Sequence, residues 1–220
     1  MIASLVPGGA RLADVGSDHG WLPISLLEQG RISYAVATDI RSGPLQRAIS
    51  HSSERGIKNM DCVLCDGLTG VEPHTVDCVV IAGMGGDSIS AILAAAPWAC
   101  ESCTIILQPM SKPETLRRNL AALGLATVSE HLVEDSHRIY SILVCQCGTP
   151  LKYSEAEYLL GPYTMLKEDR LFPAKLEQLI GQLSDALAGL SLSSREDDRV
   201  RAKGLSSILA ELTEKKGALK

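Results

Sequence analysis

Apolar residues in the first 150 positions come in short continuous runs, and helical-period stretches separate those runs. Strands are predicted at Arg11 to Val15, Tyr34 to Thr38, Cys62 to Cys65, Asp77 to Ala82 and Thr104 to Leu107. Helical spacing fills the gaps at 22–29, 44–55 (ended by Gly56), 88–95 (closed by Pro97) and 114–123 (ended by Gly124). Unbroken apolar strands alternating with helices predict a mostly parallel sheet covered on both faces. Two further strands, 126–132 and 139–146, are joined too closely for a crossover, so they are antiparallel. The expected architecture is α/β with seven strands. Beyond Gly148-Thr-Pro150 the pattern changes. Leu171, Leu176, Leu179, Ile180, Leu183, Leu187 and Leu190 recur at intervals near three and four, as do Val200, Leu205, Ile208, Leu209 and Leu212. A Ser-rich link at 191–194 joins the two series, which predicts an antiparallel helical hairpin or short coiled coil. Residues 1–150 and 151–220 are therefore expected to form two domains.

The chain has 220 residues, is 45% hydrophobic and carries a net charge of −5. The acidic excess is confined to the first part: residues 1–150 hold 10 Lys+Arg against 15 Asp+Glu, and 151–220 hold 11 of each. That balance does not advertise nucleic-acid binding. There is neither an apolar run long enough for a membrane span nor a basic leader, so a cytoplasmic protein is expected. Two Cys-x-x-Cys pairs (Cys62/Cys65 and Cys100/Cys103) lie 34 residues apart, wider than a zinc ribbon allows. They read as small buried hydrophobes in a reduced compartment, and no metal is expected.

Ligands of open parallel sheets bind beyond the carboxyl ends of the strands. Here the strand ends carry Asp14 with Asp18, then Asp39, then Asp66-Gly67, then Gly83-Met84-Gly85-Gly86. One such acid is ordinarily a turn or cap residue. A series in consecutive strands is not explained by turn chemistry. The loop Asp14-Val-Gly16-Ser17-Asp18-His19-Gly20 lets backbone approach a ligand closely, but its carboxylates would repel a pyrophosphate and it lacks G-x-G-x-x-G spacing. This argues against a nicotinamide dinucleotide. Asp39, 23 residues after Gly16, is placed to accept from two ribose hydroxyls, and Asp66 from an exocyclic adenine amine. An adenosine with a cationic, phosphate-free chain, S-adenosylmethionine, satisfies all of these. Cofactor contacts are expected from Asp14, Gly16, Ser17, His19, Gly20, Asp39, Ile40, Asp66, Gly67, Ala82, Gly83 and Met84.

With these residues in hand, the chain resembles the bacterial tRNA (adenine-22-N1)-methyltransferase family, of the Rossmann-like class I methyltransferases. The resemblance rests on Leu12-Ala-Asp-Val-Gly-Ser-Asp-His-Gly-Trp-Leu-Pro23, Asp66-Gly-Leu68, Ile81-Ala-Gly-Met-Gly-Gly86, Leu107-Gln-Pro109 and Leu160-Gly-Pro162, and it extends into the tail. It implies methyl transfer from S-adenosylmethionine to N1 of a D-arm adenine in tRNA. Asp18 is the candidate catalytic carboxylate. Gly85, Gly86, Gln108 and Pro109 are candidate walls for the base. Arg41, Arg47, Lys112, Arg117 and Arg118 are candidate phosphate contacts, together with Arg195, Arg199, Arg201 and Lys203 in the tail. The plain reading of that tail cluster is a solvated helix face paired with Glu196, Asp197 and Asp198. Family members usually carry a short helix before strand one. This chain starts almost at the strand, so one edge of the cleft is expected to be less covered. A monomer or weak homodimer is expected. A small-molecule methyltransferase and a non-catalytic S-adenosylmethionine-binding protein remain as alternatives.

Overall fold

The computed structural model describes residues 1–191 and 195–219. Helix α1 (Ile2–Leu5) leads into β1 (Ala10–Val15), and a 3₁₀ turn (Asp18–Gly20) runs into α2 (Trp21–Glu28). There follow β2 (Ile32–Asp39), α3 (Ser42–Glu54), β3 (Met60–Leu64), β4 (Cys78–Gly85), α4 (Gly86–Ala94) and α5 (Pro97–Ser102). Then come β5 (Thr104–Ser111), α6 (Pro113–Ala122), β6 (Leu125–Asp135) and β7 (Arg138–Cys147). The remainder is helical: α7 (Glu155–Leu160), α8 (Tyr163–Leu166), α9 (Phe172–Ser191) and α10 (Glu196–Gly217). None of these helices is long and apolar enough to cross a membrane.

The seven strands form one sheet in the order β3-β2-β1-β4-β5-β7-β6. The pairs β3/β2, β2/β1, β1/β4 and β4/β5 are parallel, and β5/β7 is antiparallel. Residues in β1, β4 and β5 are buried on both faces, as Leu12, Ala13, Val79, Val80, Ile105 and Ile106 show. This explains their continuous apolar runs, which alternation would have interrupted. The reversal in pairing between β1/β2 and β1/β4 opens a crevice above the carboxyl ends of these strands. A two-residue turn, Ser136-His137, closes β6 on β7 with both φ angles positive (49° and 63°), the type I′ geometry that matches strand twist.

Two compact units divide the chain. The first holds residues 1–129 and 142–151, and its core gathers Val15, Ile81, Ile89, Leu93, Ile105 and Leu116. The second holds residues 130–141, the turn end of β6 and β7, with residues 152–220. In this second unit Leu132, Leu160, Leu166, Phe172, Leu176 and Leu212 form a separate core, with Leu179, Ile180, Leu183 and Ile208 packed on it. A capping box opens α7: the Ser154 hydroxyl accepts from the Glu157 amide, and the Glu157 carboxylate accepts from the Ser154 amide. Lys216, near the end of α10, donates to Glu177, near the start of α9, at 2.7 Å, so the two helices run antiparallel. The middle of the Ser-rich link, 192–194, lies outside the described residues.

The structure corrects the sequence expectations at five places, the first being Arg117 of α6, expected to reach a phosphate but only 1% exposed. A short helix, α1, does precede β1. Strand β4 does not stop at Ala82 but continues through a bulge to Gly85, and α4 starts at once at Gly86. Pro97 opens a helix of its own, α5, in the N-terminal position where its missing N–H costs nothing. Val200, expected in the hairpin seam, is 67% exposed.

Candidate active site

The parallel strands deliver their last residues to one edge of the sheet, and the glycine loop after β1 folds over that edge. Gly16 takes a left-handed φ of 70°. That conformation favours glycine, and a Cβ there would also meet the methyl group at the flexible end of Met84, which would have to swing aside. The Gly16 and Ser17 amides both donate to the Thr38 carbonyl, at 2.8 and 3.0 Å, which ties the loop to the end of β2. Asp14 is buried beneath the loop and accepts a hydrogen bond from the Ser17 hydroxyl. Burial pushes the Asp14 carboxyl from 3.8 up to about 6, and the Ser17 hydrogen bond only partly opposes this.

A cavity of about 720 Å³ opens above the strand ends. Its walls include Gly16, Asp18, Asp39, Ile40, Asp66, Gly67, Ala82, Gly83 and Met84. Asp39, at the end of β2, is 5% exposed, and its carboxylate accepts from the Arg41 amide at 2.8 Å. The Arg41 guanidinium lies 3.6 Å from the same carboxylate. Thr38 donates its hydroxyl to the Gly67 carbonyl at 2.8 Å, fixing the turn that carries Asp66. Asp18 differs from the other acids. Its side chain is 60% exposed, with His19 Nε2 and the Arg47 guanidinium each 3.6 Å away.

At the bulge in β4, Gly83 turns to a φ of 76° and its N–H donates to Gln108 Oε1 at 2.9 Å. The Gln108 amide in turn donates to the Pro109 carbonyl at 3.3 Å, so Gly83 of β4 is tied to the candidate wall residues Gln108 and Pro109 of β5. Gly86 packs beneath the Lys112 carbonyl at the start of α4. Gly85, Gly86, Gln108 and Pro109 are absent from the lining of the 720 Å³ cavity, as are His19 and Gly20. Asp14 and Ser17 line a smaller adjoining pocket of about 260 Å³ instead. Ile2 of α1 lines that pocket too, so the cleft edge expected to be open is covered. Arg199, Arg201 and Lys203 lie exposed on α10, in the helical unit.

The sequence reading left out Thr38, Arg41, Thr69, Ser88, Ala91 and Ile92 as cavity residues. Ser88, Ala91 and Ile92 follow from α4 starting at the strand end, with one helix face toward the cavity at spacings of three and four. Among the described residues Arg41 is the one basic residue in the lining, beside three carboxylates. Such a wall suits a cationic, hydroxyl-bearing ligand and not a pyrophosphate. No disulfide joins any of the seven cysteines, and no cluster of three or more His, Cys, Asp or Glu able to hold a metal occurs among the described residues.

Comparison with known proteins agrees with this geometry. Residues 1–143 match the model of a family described as "Methyltransferase domain". The chain is 30% identical over 184 residues to the tRNA (adenine(22)-N(1))-methyltransferase of Bacillus subtilis, a stretch covering 80% of this chain and 77% of the relative. The crystal structure of the Bacillus subtilis M1A22 tRNA methyltransferase TrmK superposes with a TM-score of 0.88 at 27% identity, covering 98% of this chain and 95% of the other. The structure of Streptococcus pneumoniae Sp1610 in complex with S-adenosyl-L-methionine superposes with a TM-score of 0.84 at 31% identity, covering 98% and 96%.

Proposed function

The chain belongs to the methyltransferase-domain family that includes the Bacillus subtilis tRNA (adenine(22)-N(1))-methyltransferase, and from that premise we propose that it methylates N1 of adenine 22 in tRNA with S-adenosylmethionine as donor. The observation that carries this reading is one cleft walled by Asp18, Asp39 and Asp66, with Arg41 as the one basic lining residue among the described residues. Asp39 would take the ribose hydroxyls, Asp66 the adenine amine, and the 16–20 loop the amino-acid end. When bound, S-adenosylmethionine supplies an electrophilic methyl group on a sulfonium.

The chain's own task is to present the acceptor base and to stabilise the charge it gains. The adenine N1 lone pair lies in the ring plane and needs no base to free it. Positive charge develops on the purine as N1 is alkylated, so a fixed carboxylate nearby lowers the barrier. Asp18 takes that role: it lies in the cleft wall, and Arg47 and His19 flank its carboxylate. The Ala82-Gly-Met-Gly-Gly86 run offers backbone groups with little side chain, which lets a flat base approach, and Gln108 and Pro109 back it from β5. Reaching it requires the target nucleotide to leave its stack. The tRNA reading supports a cytoplasmic location.

The test is transfer from methyl-labelled S-adenosylmethionine to unmodified tRNA, with the product nucleoside identified. The expected result is 1-methyladenosine, lost when the target adenine is replaced by guanine. In the same assay Asp18→Asn is expected to slow transfer by about 10²–10³-fold, with cofactor affinity measured alongside to separate a slower methyl transfer from a weaker grip on the donor. Cofactor binding without transfer to any tRNA would overturn the assignment in favour of a small-molecule acceptor.

A further inference from the structure

Trp21, the first residue of α2, leaves 53% of its surface exposed. An indole pairs a large apolar ring with a polar edge, the kind of side chain enriched where partners bind. This ring is held in place. The His51 ring lies 4.6 Å from it between centroids, tilted by 33°. The His19 ring lies 6.2 Å away at 18°. The Arg55 guanidinium sits 5.6 Å from the indole centroid and is itself fixed by Glu28 at 3.0 Å. His19 adopts a left-handed φ of 65°, uncommon for a residue with a side chain, and its carbonyl lies 3.1 Å from His51 Nδ1. These contacts set the indole before any ligand arrives, which reduces the ordering cost of binding.

The same Trp21 lines the 260 Å³ pocket, together with Ile2, Leu22 and Ala82. That pocket shares Gly16, Asp18 and Ala82 with the main cleft. It is smaller than the range typical of drug-sized ligands, and its lining combines the apolar Ile2, Trp21, Leu22, Val80 and Ala82 with the polar Asp14, Ser17 and Asp18, a mixture that suits one flat ring system bearing polar edges. Cations flank it: Arg47 stands on Asp18 and Arg55 on Trp21. A flat aromatic wall with guanidinium groups beside it is the chemistry that recognises an unstacked nucleobase and its phosphate.

We propose that Trp21 is the stacking wall for the nucleobase presented for methylation, and that His51 and Arg55 are positioning residues that hold its ring. This rests on the tRNA reading above, and it adds a residue that determines affinity for RNA without contributing to cofactor affinity. The chain has two tryptophans. Trp98, the other, packs against the sheet core. The full-length Trp98→Phe variant therefore makes Trp21 the sole indole reporter. Its fluorescence is expected to be quenched by unmodified tRNA in the presence of S-adenosylhomocysteine, beyond any change caused by S-adenosylhomocysteine alone.

Kinetically, Trp21→Ala is expected to lower kcat/KM for tRNA about tenfold or more, within the range of one stacked base. S-adenosylmethionine affinity should stay within about twofold, as a wall outside the cofactor cleft requires. Trp21→Phe should recover most of the loss. Unchanged kcat/KM for tRNA in Trp21→Ala, or an indole unresponsive to tRNA, would overturn the proposal. So would an equal loss of cofactor affinity, or a shift in oligomeric state, which would make Trp21 a cofactor or subunit contact. A wild-type protein that methylates no tRNA would overturn the reading beneath it, an outcome distinguishable from the loss of Trp21 function alone.

Discussion

Asp14 and Asp18 are four residues apart, yet their surroundings make them different acids. Asp14 is enclosed with the Ser17 hydroxyl, while Asp18 faces water beside Arg47. Because burial raises the Asp14 carboxyl from 3.8 to about 6, the native state keeps a proton between those values that the unfolded chain has lost. The stability contributed by the neutral form is complete below the unfolded value and is lost as pH rises through about 6. At neutral pH the ionised group costs up to roughly 3 kcal/mol. Asp14→Asn is thus expected to be more stable than wild type at pH 7 and equal to it near pH 4, as measured by urea denaturation across that range. A gap that does not change with pH would place the titration elsewhere. That strand-end acids gather at one edge was legible in the sequence, because parallel strands leave all their carboxyl ends on the same side. Their individual burial was not: it depends on loops and side chains contributed from elsewhere. Trp21 went unnoticed as a site residue for the same reason, since its exposure is a property of its neighbours and its pocket needs Ile2 and Ala82.

Among the elements, β4 and α4 set the shape of the cleft. The run Ala82-Gly-Met-Gly-Gly86 reads as a loop by composition, because glycine is depleted in strands. Pairing with β5 overrides that preference, and the bulge absorbs the extra residue. The sequence could not show this, since the pairing partner lies some 25 residues away and the propensities point the other way. Gly86 then starts α4 directly under the Lys112 carbonyl, with the Leu116 Cβ beside it. A methyl group at position 86 would meet backbone, which cannot swing aside as a side chain can. Gly86→Ala is expected to destabilise the protein by about 1–3 kcal/mol, the usual cost of overpacking. The midpoint of denaturant unfolding is the measurement, and an unchanged midpoint would show that the Lys112 turn yields. Helix α4 in turn brings Ser88, Ala91 and Ile92 to the cavity wall, three residues that composition alone does not mark.

For the molecule as a whole, two compact units divide the chain. Leucine periodicity made the helical unit legible, but its boundary was less so, because the turn end of the β6/β7 hairpin belongs to it. On α10, successive residues turn by about 100°, so Arg199 and Lys203 share a side and Arg201 does not. Arg199 also lies 3.6 Å from Glu196, the ordinary arrangement of a solvated helix face. If this unit carries tRNA phosphates, the pair Arg199→Gln/Lys203→Gln should flatten the dependence of log affinity on log salt by about 0.9 for each phosphate no longer neutralised. Folding stability should change little, since both side chains are exposed. Affinity measured at several salt concentrations decides this, and an unaltered slope would remove these two side chains from the RNA-binding surface.

The strand order carries a further consequence, for the time at which the sheet can be completed. β7 is the last strand to be synthesised, yet its place is between β5 and β6. The five parallel strands can assemble as soon as Ser111 has left the ribosome, but β6 has no neighbour until residues 138–147 follow it. For that interval the nascent chain carries an unpaired eleven-residue strand, the kind of exposed edge that invites mispairing. The two-residue Ser136-His137 turn keeps the interval short, because the partner strand emerges immediately behind the one that waits for it.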